Sequence, residues 1–378
     1  MESPKLFKIF LITFVSSIVS IVVFNFYFNV YGLFSDYQTS YRVVVNDRVG
    51  KYNWIINMEE KPEAYIFGSS NSMRMNPDSI ESITGLKSFN MGMFHARVED
   101  FWCMANALLN SDETHPKLII FCIDDWNFAD EPPKSDEIFQ GAEKRLAYKP
   151  VLSKYLDDFS KIKLNWGKLS AALTFDHFEN SFLALQKCII DSAHFQKNIP
   201  TMLTTFYENG VRKKYGKMDE PNRDITDTCE TGTYDMTASL KEINENWKTF
   251  PFTPRGILDK SHSAFDKLSD RRIKLFERMI KMLNKYNCKV ILNMMPNQPY
   301  FKKIIEEQTT FKTRLNRLLT YFNKLKMKYD NIILIKDNSD ISNFNGDPNH
   351  FFDYMHPTSV NSDRMIESMR TELQEYAF

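Results

Sequence analysis

The sequence is poor in several features that define large classes of proteins. Only five of its 378 residues are cysteines, and no two of them form a C-x-x-C pair, so neither a disulfide framework nor a zinc site is indicated. The 48 basic and 48 acidic side chains cancel, which excludes a polycation built to bind nucleic acid. Glycine and proline are scarce while aromatic residues make up 14%. This composition excludes a disordered chain, and we expect a folded protein.

The cysteines that lie in or beside apolar runs are expected to be buried thiols. Cys122 ends the run 118–122, and Cys288 precedes the run 290–292. Free cysteine packs as a small hydrophobic residue, so burial is the simplest expectation for both. A disulfide bridge that involves Cys229 stays open as an alternative.

One long apolar run stands near the N-terminal end of the chain. Residues 9–28 carry no charge, and twenty helical residues span about 30 Å, the thickness of a bilayer core. We expect a membrane anchor over residues 1–36, with a cleaved signal peptide or a buried helix as alternatives. Basic residues flank the run on both sides, with Lys5 and Lys8 before it and Arg42, Arg48 and Lys51 after it, so the charge count does not decide the orientation. The short tail with two lysines resembles that of an anchor whose N-terminus is cytoplasmic. The bulk of the chain is then expected outside the cytoplasm, held to the cell membrane by a single pass.

After the anchor, the chain is predicted to pass through a polar connector (37–61) into one α/β domain (62–378). Short apolar runs alternate there with helical patterns, which is typical of a three-layer, flavodoxin-like fold with a mostly parallel sheet. Residues from about 130 to 262 interrupt the alternation and predict a helical insertion. The expected strands begin near residues 64, 88, 118, 289 and 332, and the expected helices cover 97–110, 268–286, 311–329 and 359 to the C-terminus. Ser263 and Asp266 resemble a capping box before the second of these helices.

Polar side chains follow the first and the last predicted strands. Ligands of parallel sheets bind beyond the carboxyl ends of the strands. Ser70 lies in such a segment, and Asp353 and His356 lie in the loop before the last helix. Histidine can take the proton of a serine hydroxyl near neutral pH, and a carboxylate can orient that histidine. These residues therefore indicate nucleophilic acyl chemistry without a metal or another cofactor.

The same residues resemble the SGNH (GDSL-type) hydrolase superfamily. Its members carry Gly-Asp-Ser after the first strand and Asp-x-x-His near the C-terminus, with a glycine and an asparagine between them. The resemblance implies that Ser70 is the nucleophile, that Asp353 and His356 complete a triad, and that Ser70, Gly92 and Asn127 form an oxyanion hole. Ser69 stands where the family carries aspartate.

The Ser69 substitution, the anchor and the insertion are similar to a membrane-anchored subset of that superfamily. The subset includes proteins of teichoic acid D-alanylation and alginate O-acetylation. The resemblance implies an extracytoplasmic esterase or O-acyltransferase that acts on a surface glycan or related polymer, with a polytopic acyltransferase as partner. The candidate substrate-binding residues are Ser69, Asn71, Arg97 and Trp126.

Each of these residues also has a simpler interpretation. Ser70 can cap a turn, and His356 can be an exposed loop residue. Arg97 can be a surface charge, and Trp126 can be a core residue. Asp347, His350, Asp353 and His356 can instead be read together as metal ligands. The chain as a whole can be a non-catalytic, membrane-tethered scaffold or glycan-binding protein on the same fold.

Overall fold

The computed structural model describes residues 3–28, 37–39, 47–130, 150–173, 178–179, 181–183, 185–186, 195–197, 209–211, 267–351 and 355–375. The strands in these ranges are β1 (Tyr37–Thr39), β2 (Ala64–Gly68), β3 (Ser88–Asn90), β4 (Leu118–Ile123), β5 (Phe195–Lys197), β6 (Lys289–Met294) and β7 (Ile332–Asp337). The helices are α1 (Ser3–Phe28), α2 (Asp47–Asn57), α3 (Pro77–Thr84), α4 (Val98–Leu109), α5 (Pro150–Ser153), α6 (Asp158–Ala172), α7 (Asp270–Lys285), α8 (Pro299–Gln308), α9 (Phe311–Lys328), α10 (Ser359–Glu367) and α11 (Arg370–Glu375).

The chain divides into two compact units. One comprises Met1–Gly50 and Lys144–Met202, and we call it the helical unit; the other comprises Lys51–Glu143 and Leu203–Phe378, and we call it the sheet unit.

A five-stranded parallel sheet forms the centre of the sheet unit. The strand order is β3-β2-β4-β6-β7, and each neighbouring pair is parallel. The sheet grows from β2 to β3 on one side, and from β4 through β6 to β7 on the other. Its topological switch point therefore lies between β2 and β4, where a ligand crevice is expected at the carboxyl ends. The predicted α/β class with a parallel sheet is confirmed.

The two faces of the sheet are covered by different helices because alternate strand residues point to opposite sides. On one face, Phe67 and Phe121 pack in tilted and edge-on arrangements with Phe101 of α4 and Phe276 of α7, at ring-centroid distances of 5.5–6.4 Å. The other face packs on α3, α10 and α11 through a second group of buried residues, which includes Ile66, Ile120, Cys122, Ile80, Ile83, Met365 and Leu373. Burial on both faces explains why the strands are continuous apolar runs.

The helical unit contains α1, α5 and α6 and a small antiparallel pair of β1 with β5. Pro4–Phe28 of α1 has a mean hydropathy of 2.4 and an apolar stretch long enough to cross a membrane. Among the described residues it is the one helix with that property. Near its C-terminal end, Asn25 donates a hydrogen bond of 2.8 Å to the carbonyl of Ala172 at the end of α6.

Several local expectations differ from the structure. The stretch 37–61 contains α2, which buries Tyr52 and Ile55. The helix that was expected from residue 268 begins at Asp270 with Ser269 as its N-cap, and the proposed capping box at 263–266 lies outside the described residues. Within 130–262, the described residues include α5 and α6, and the helical insertion as a whole stays a prediction. Cys122 and Cys288 are buried thiols, as predicted; Cys229 is outside the described residues.

Candidate active site

The structure brings together Ser70 and His356, which are 286 residues apart in the chain. β2 ends at Gly68, and Ser70 begins the turn that follows, with Ser69 as the N-cap of that turn. His356 lies between β7 and α10. Ser70 Oγ and His356 Nε2 are 2.8 Å apart, within hydrogen-bond distance. Both side chains are partly buried. This is the separation that a histidine needs in order to take the proton of an attacking serine hydroxyl.

A tight turn holds Ser70 at the end of β2. Residues Ser70–Ser72 form one turn of 3₁₀ helix, and the Ser69 hydroxyl caps it by accepting from the Asn71 N–H at 3.1 Å. A Cβ atom at Gly68 would lie 2.4 Å from Ser72 Oγ and 2.9 Å from Cys122 Cβ. Glycine at position 68 therefore lets the turn fold back against β4, and the serine that follows is presented at the sheet edge.

A second layer of polar contacts supports this turn. The Asn90 amide donates to the carbonyls of Ser72 and Met75, both at 2.8 Å. Lys51, which is fully buried, donates from Nζ to the carbonyls of Asn90, Gly92 and Gly210 at 2.7–2.9 Å. A buried ammonium group needs such acceptors to offset its lost hydration. Lys51 therefore ties together three segments of the sheet unit behind the serine turn.

Asp124, at the end of β4, reaches the serine turn across the switch point. Its carboxylate accepts hydrogen bonds of 2.6 Å from Ser69 Oγ and from Asn71 Nδ2, the residues on either side of Ser70. Burial raises the pKa of Asp124 to about 6, against the opposing effects of these two hydrogen bonds and of His356. Asp124 was not among the residues assigned from the sequence. The available signal was its place directly after a buried strand, beside the switch point.

Two of the three expected oxyanion donors, Gly92 and Asn127, are already engaged in this structure. The Gly92 N–H donates to Asn90 Oδ1 at 2.8 Å. The Asn127 side chain is fully buried, accepts from the Asp124 N–H at 2.7 Å and donates to the Ala96 carbonyl at 2.8 Å. Both groups therefore brace the loops around the site. A role for either as an oxyanion donor requires a change from the geometry observed.

The candidate substrate-binding residues are more buried than expected. Ser69 and Asn71 are 1% and 2% exposed, and their side chains turn inward to Asp124. Arg97 is also buried and is the N-cap of α4, which corrects its interpretation as a surface charge. Burial lowers the pKa of Arg271 to about 10, and the positive charges of Arg272 and Arg97 add to the effect, so Arg97 lies near α7.

Trp126 is buried and lines a small cleft at the ends of β4 and β6. The cleft has about 280 Å³ of space that is continuous with the solvent, and Asp124 forms part of its wall. The remaining lining residues are mostly apolar: Met294, Met295, Phe311 and Leu315 are joined by Asp125, Asn297 and Ser339. Asp124 therefore contributes both to the wall of the cleft and to the serine turn.

Asp353 lies outside the described residues, so its assignment as the third triad member stays a prediction. The alternative metal site also included this residue. Among the residues that the structure describes, no three His, Cys, Asp or Glu side chains are grouped as metal ligands would be. His350 Nε2 lies 3.8 Å from Asp347 Oδ2.

Comparisons with known proteins add little to this geometry. No protein-family model matches the chain. No curated protein matches it. Among solved structures, the chain is similar to a crystal structure from Bacteroides fragilis that carries the assignment acylhydrolase, with 11% identity over 89% of this chain and 100% of the other. The TM-score of 0.38 is too low for this likeness to bear on activity.

Proposed function

We propose that this chain is a serine esterase or O-acyltransferase of the SGNH type. The observation that carries the proposal is the 2.8 Å distance between Ser70 Oγ and His356 Nε2. These two residues lie near the beginning and the end of the sheet unit in the sequence. A hydroxyl and an imidazole at the carboxyl edge of a parallel sheet form the core of a nucleophilic site. The order of the motifs along the chain supports the same assignment.

The proposed reaction begins with attack by Ser70 on an acyl ester. Ser70 Oγ forms a bond to the carbonyl carbon, the carbonyl π electrons move to oxygen, and the serine proton passes to His356 Nε2. When the intermediate collapses, the C–O bond to the alcohol breaks and the alcohol takes that proton, which leaves an acyl-Ser70 ester. Water then gives hydrolysis, whereas a sugar hydroxyl gives transfer. Asp353 would orient His356, as the resemblance implies.

A fluorophosphonate probe tests the nucleophile directly. Ser70 Oγ would bond to phosphorus and expel fluoride, so the full-length protein in detergent should be labelled. Ser70→Ala should abolish the labelling. Ser82→Ala, which changes an exposed serine on α3, is the matched control and should label like the wild type. Labelling that persists in Ser70→Ala would refute the assignment.

The proposal places the protein at a membrane, with the sheet unit outside the cytoplasm. Most of the large apolar side chains of α1 are exposed, as expected of a helix that contacts lipid. A second exposed apolar stripe follows α6 at spacings of three and four residues. It consists of Phe159, Ile162, Trp166, Leu169 and Leu173. Asn25 of α1 is hydrogen-bonded to the C-terminal end of α6. A bilayer surface near the C-terminal end of α1 would therefore cover the apolar surfaces of both helices.

The proposed substrate is a cell-surface polysaccharide or related polymer, with a polytopic acyltransferase as partner. This part rests on the resemblance to the membrane-anchored subset of the superfamily. Incubation with O-acetylated and D-alanylated polymers, followed by mass spectrometry of the released acid and of the polymer, tests it. Acyl loss that requires Ser70 supports the proposal, and unchanged polymers in both cases refute this substrate class.

A non-catalytic scaffold is the second candidate, and one observation favours it. The Gly92 N–H and the Asn127 amide are both engaged within the protein, whereas a working oxyanion hole needs donors directed at the substrate. If the wild type takes up no fluorophosphonate and Ser70→Ala keeps its cellular function, the scaffold is the correct interpretation.

A further inference from the structure

The geometry points to Asp124 as a positioning residue for the Ser70–His356 pair, because its carboxylate holds the residues on both sides of Ser70. This inference rests on the proposed function. No role for Asp124 follows from the two short motifs, because it lies directly after β4 and in neither of them.

The contacts of Asp124 flank the nucleophile on both sides. Oδ2 accepts from Ser69 Oγ and Oδ1 accepts from Asn71 Nδ2, each at 2.6 Å. One carboxylate thus holds the residues before and after Ser70. Hydrogen bonds to an ionised acceptor are short and roughly twice as strong as neutral ones. The turn is therefore pinned to β4 across the switch point, which limits where Ser70 Oγ can lie relative to His356.

The charges around Asp124 favour a coupling to His356. Asp125, the neighbouring carboxylate, has its own partner, because Arg314 of α9 lies 2.9–3.0 Å from its Oδ2. Asp125 raises the pKa of Asp124, while His356 lowers it. An imidazolium formed at His356 during attack would therefore be attracted to the buried Asp124 anion. At low effective dielectric such an attraction is stronger than in water.

An isosteric exchange separates this role from simple packing. Asp124→Asn removes the negative charge at position 124, and Asn71→Asp places a second carboxylate next to Asp124. The double variant has one amide and one carboxylate again, with the amide now at position 124 and the carboxylate at position 71. The readouts are the maximal rate of fluorophosphonate labelling, the probe concentration for half of that rate, and the thermal midpoint of the full-length protein. Asp130→Asn changes an exposed carboxylate just beyond the same strand and is the matched control.

We expect Asp124→Asn to lower the maximal labelling rate roughly 10- to 100-fold with an unchanged half-saturating concentration, because displacement of a reacting atom by about 1 Å has an effect of this size. Asn71→Asp should also lower the rate, and the double variant should recover most of it. If Asp124→Asn does not fold, Ser69→Ala, which removes one hydroxyl, should lower the rate severalfold.

Two results would overturn the inference. One is that Asp124→Asn is labelled at the same rate as the wild type. If Asp124→Asn does not fold, the same result in Ser69→Ala counts instead. The other is a folded double variant that recovers nothing. Failure of the proposed function has a different signature, since the wild type itself would then remain unlabelled.

Discussion

The sheet unit and the helical unit place their apolar and polar side chains in opposite ways. In the sheet unit, aromatic side chains such as Phe67 and Phe121 are fully buried, and buried polar groups such as Lys51 have protein partners. In the helical unit, side chains such as Val15 and Trp166 are exposed by half or more. The difference teaches that the sheet unit packs its large apolar side chains against one another, whereas the helical unit has a surface suited to an apolar surrounding.

The largest expected effect is on the chemistry of the sheet unit. His356→Gln keeps a polar side chain of similar size but removes the base, so the rate of Ser70 labelling by fluorophosphonate should fall roughly 100- to 10,000-fold. The thermal midpoint should change little because His356 is partly exposed. Labelling at the wild-type rate would show that the 2.8 Å contact has no catalytic role.

A stability experiment tests whether the sheet unit depends on its internal polar contacts. Lys51→Met leaves three backbone carbonyls without their donor, and we expect a loss of about 3 kcal/mol or more in the free energy of unfolding. Lys87→Met, which removes an exposed ion pair with Glu60, is the control and should cost less than about 1 kcal/mol. Denaturant unfolding of both variants in detergent makes the comparison; equal losses would contradict it.

The pH dependence of stability should reveal the buried Asp124 carboxyl. Its pKa is raised from 3.8 to about 6 in the folded protein, so the folded state binds the proton more tightly than the unfolded state. The resulting stabilisation is full below pH 4 and is lost as the pH rises through 6. Relative to Asp124→Asn, the wild type should therefore lose up to about 3 kcal/mol between pH 4 and pH 7. If the free energy of unfolding of the two proteins changes with pH in the same way, Asp124 does not titrate with a raised pKa.

The smallest expected effect concerns the helical unit and leaves activity unchanged. Trp166 is 69% exposed on α6, so lipids with brominated acyl chains should quench its fluorescence in proteoliposomes. Trp166→Phe should remove the part of the fluorescence that lipid quenches. Trp102 is partly buried under Arg278, so Trp102→Phe should leave that part of the fluorescence in place. If quenching is identical in the wild type and both variants, α6 does not lie at the membrane surface.

Much of the fold was predictable because it depends on local periodicity. The strands near residues 64, 118, 289 and 332 were expected from apolar runs, and a sheet buried on both faces requires such runs. The start of α7 was misplaced because capping residues are common in loops, and Ser269 is as good a candidate as Ser263. The sheet order could not be derived, since it depends on contacts between distant segments.

Part of the candidate site could likewise be predicted from the sequence, and part could not. Ser70 and His356 could be proposed from residue type and order, because few side chains combine to activate a hydroxyl. The roles of Asp124 and Lys51 could not, since each depends on partners 39 to 159 residues away. Burial of Ser69 and Asn71 was also unexpected, because polar residues are usually exposed unless a buried partner is available.

The amino-acid sequence by itself determined the alternation of strands and helices, the apolar helix near the N-terminus and the residue types that can perform acyl chemistry. Periodicity and side-chain chemistry are local properties, so the chain carries them before it folds. Only the tertiary structure decided that Ser70 meets His356, that Asp124 holds the serine turn, and that Gly92 and Asn127 are engaged elsewhere. Those outcomes depend on which strand ends become neighbours, and packing of the whole sheet sets that arrangement.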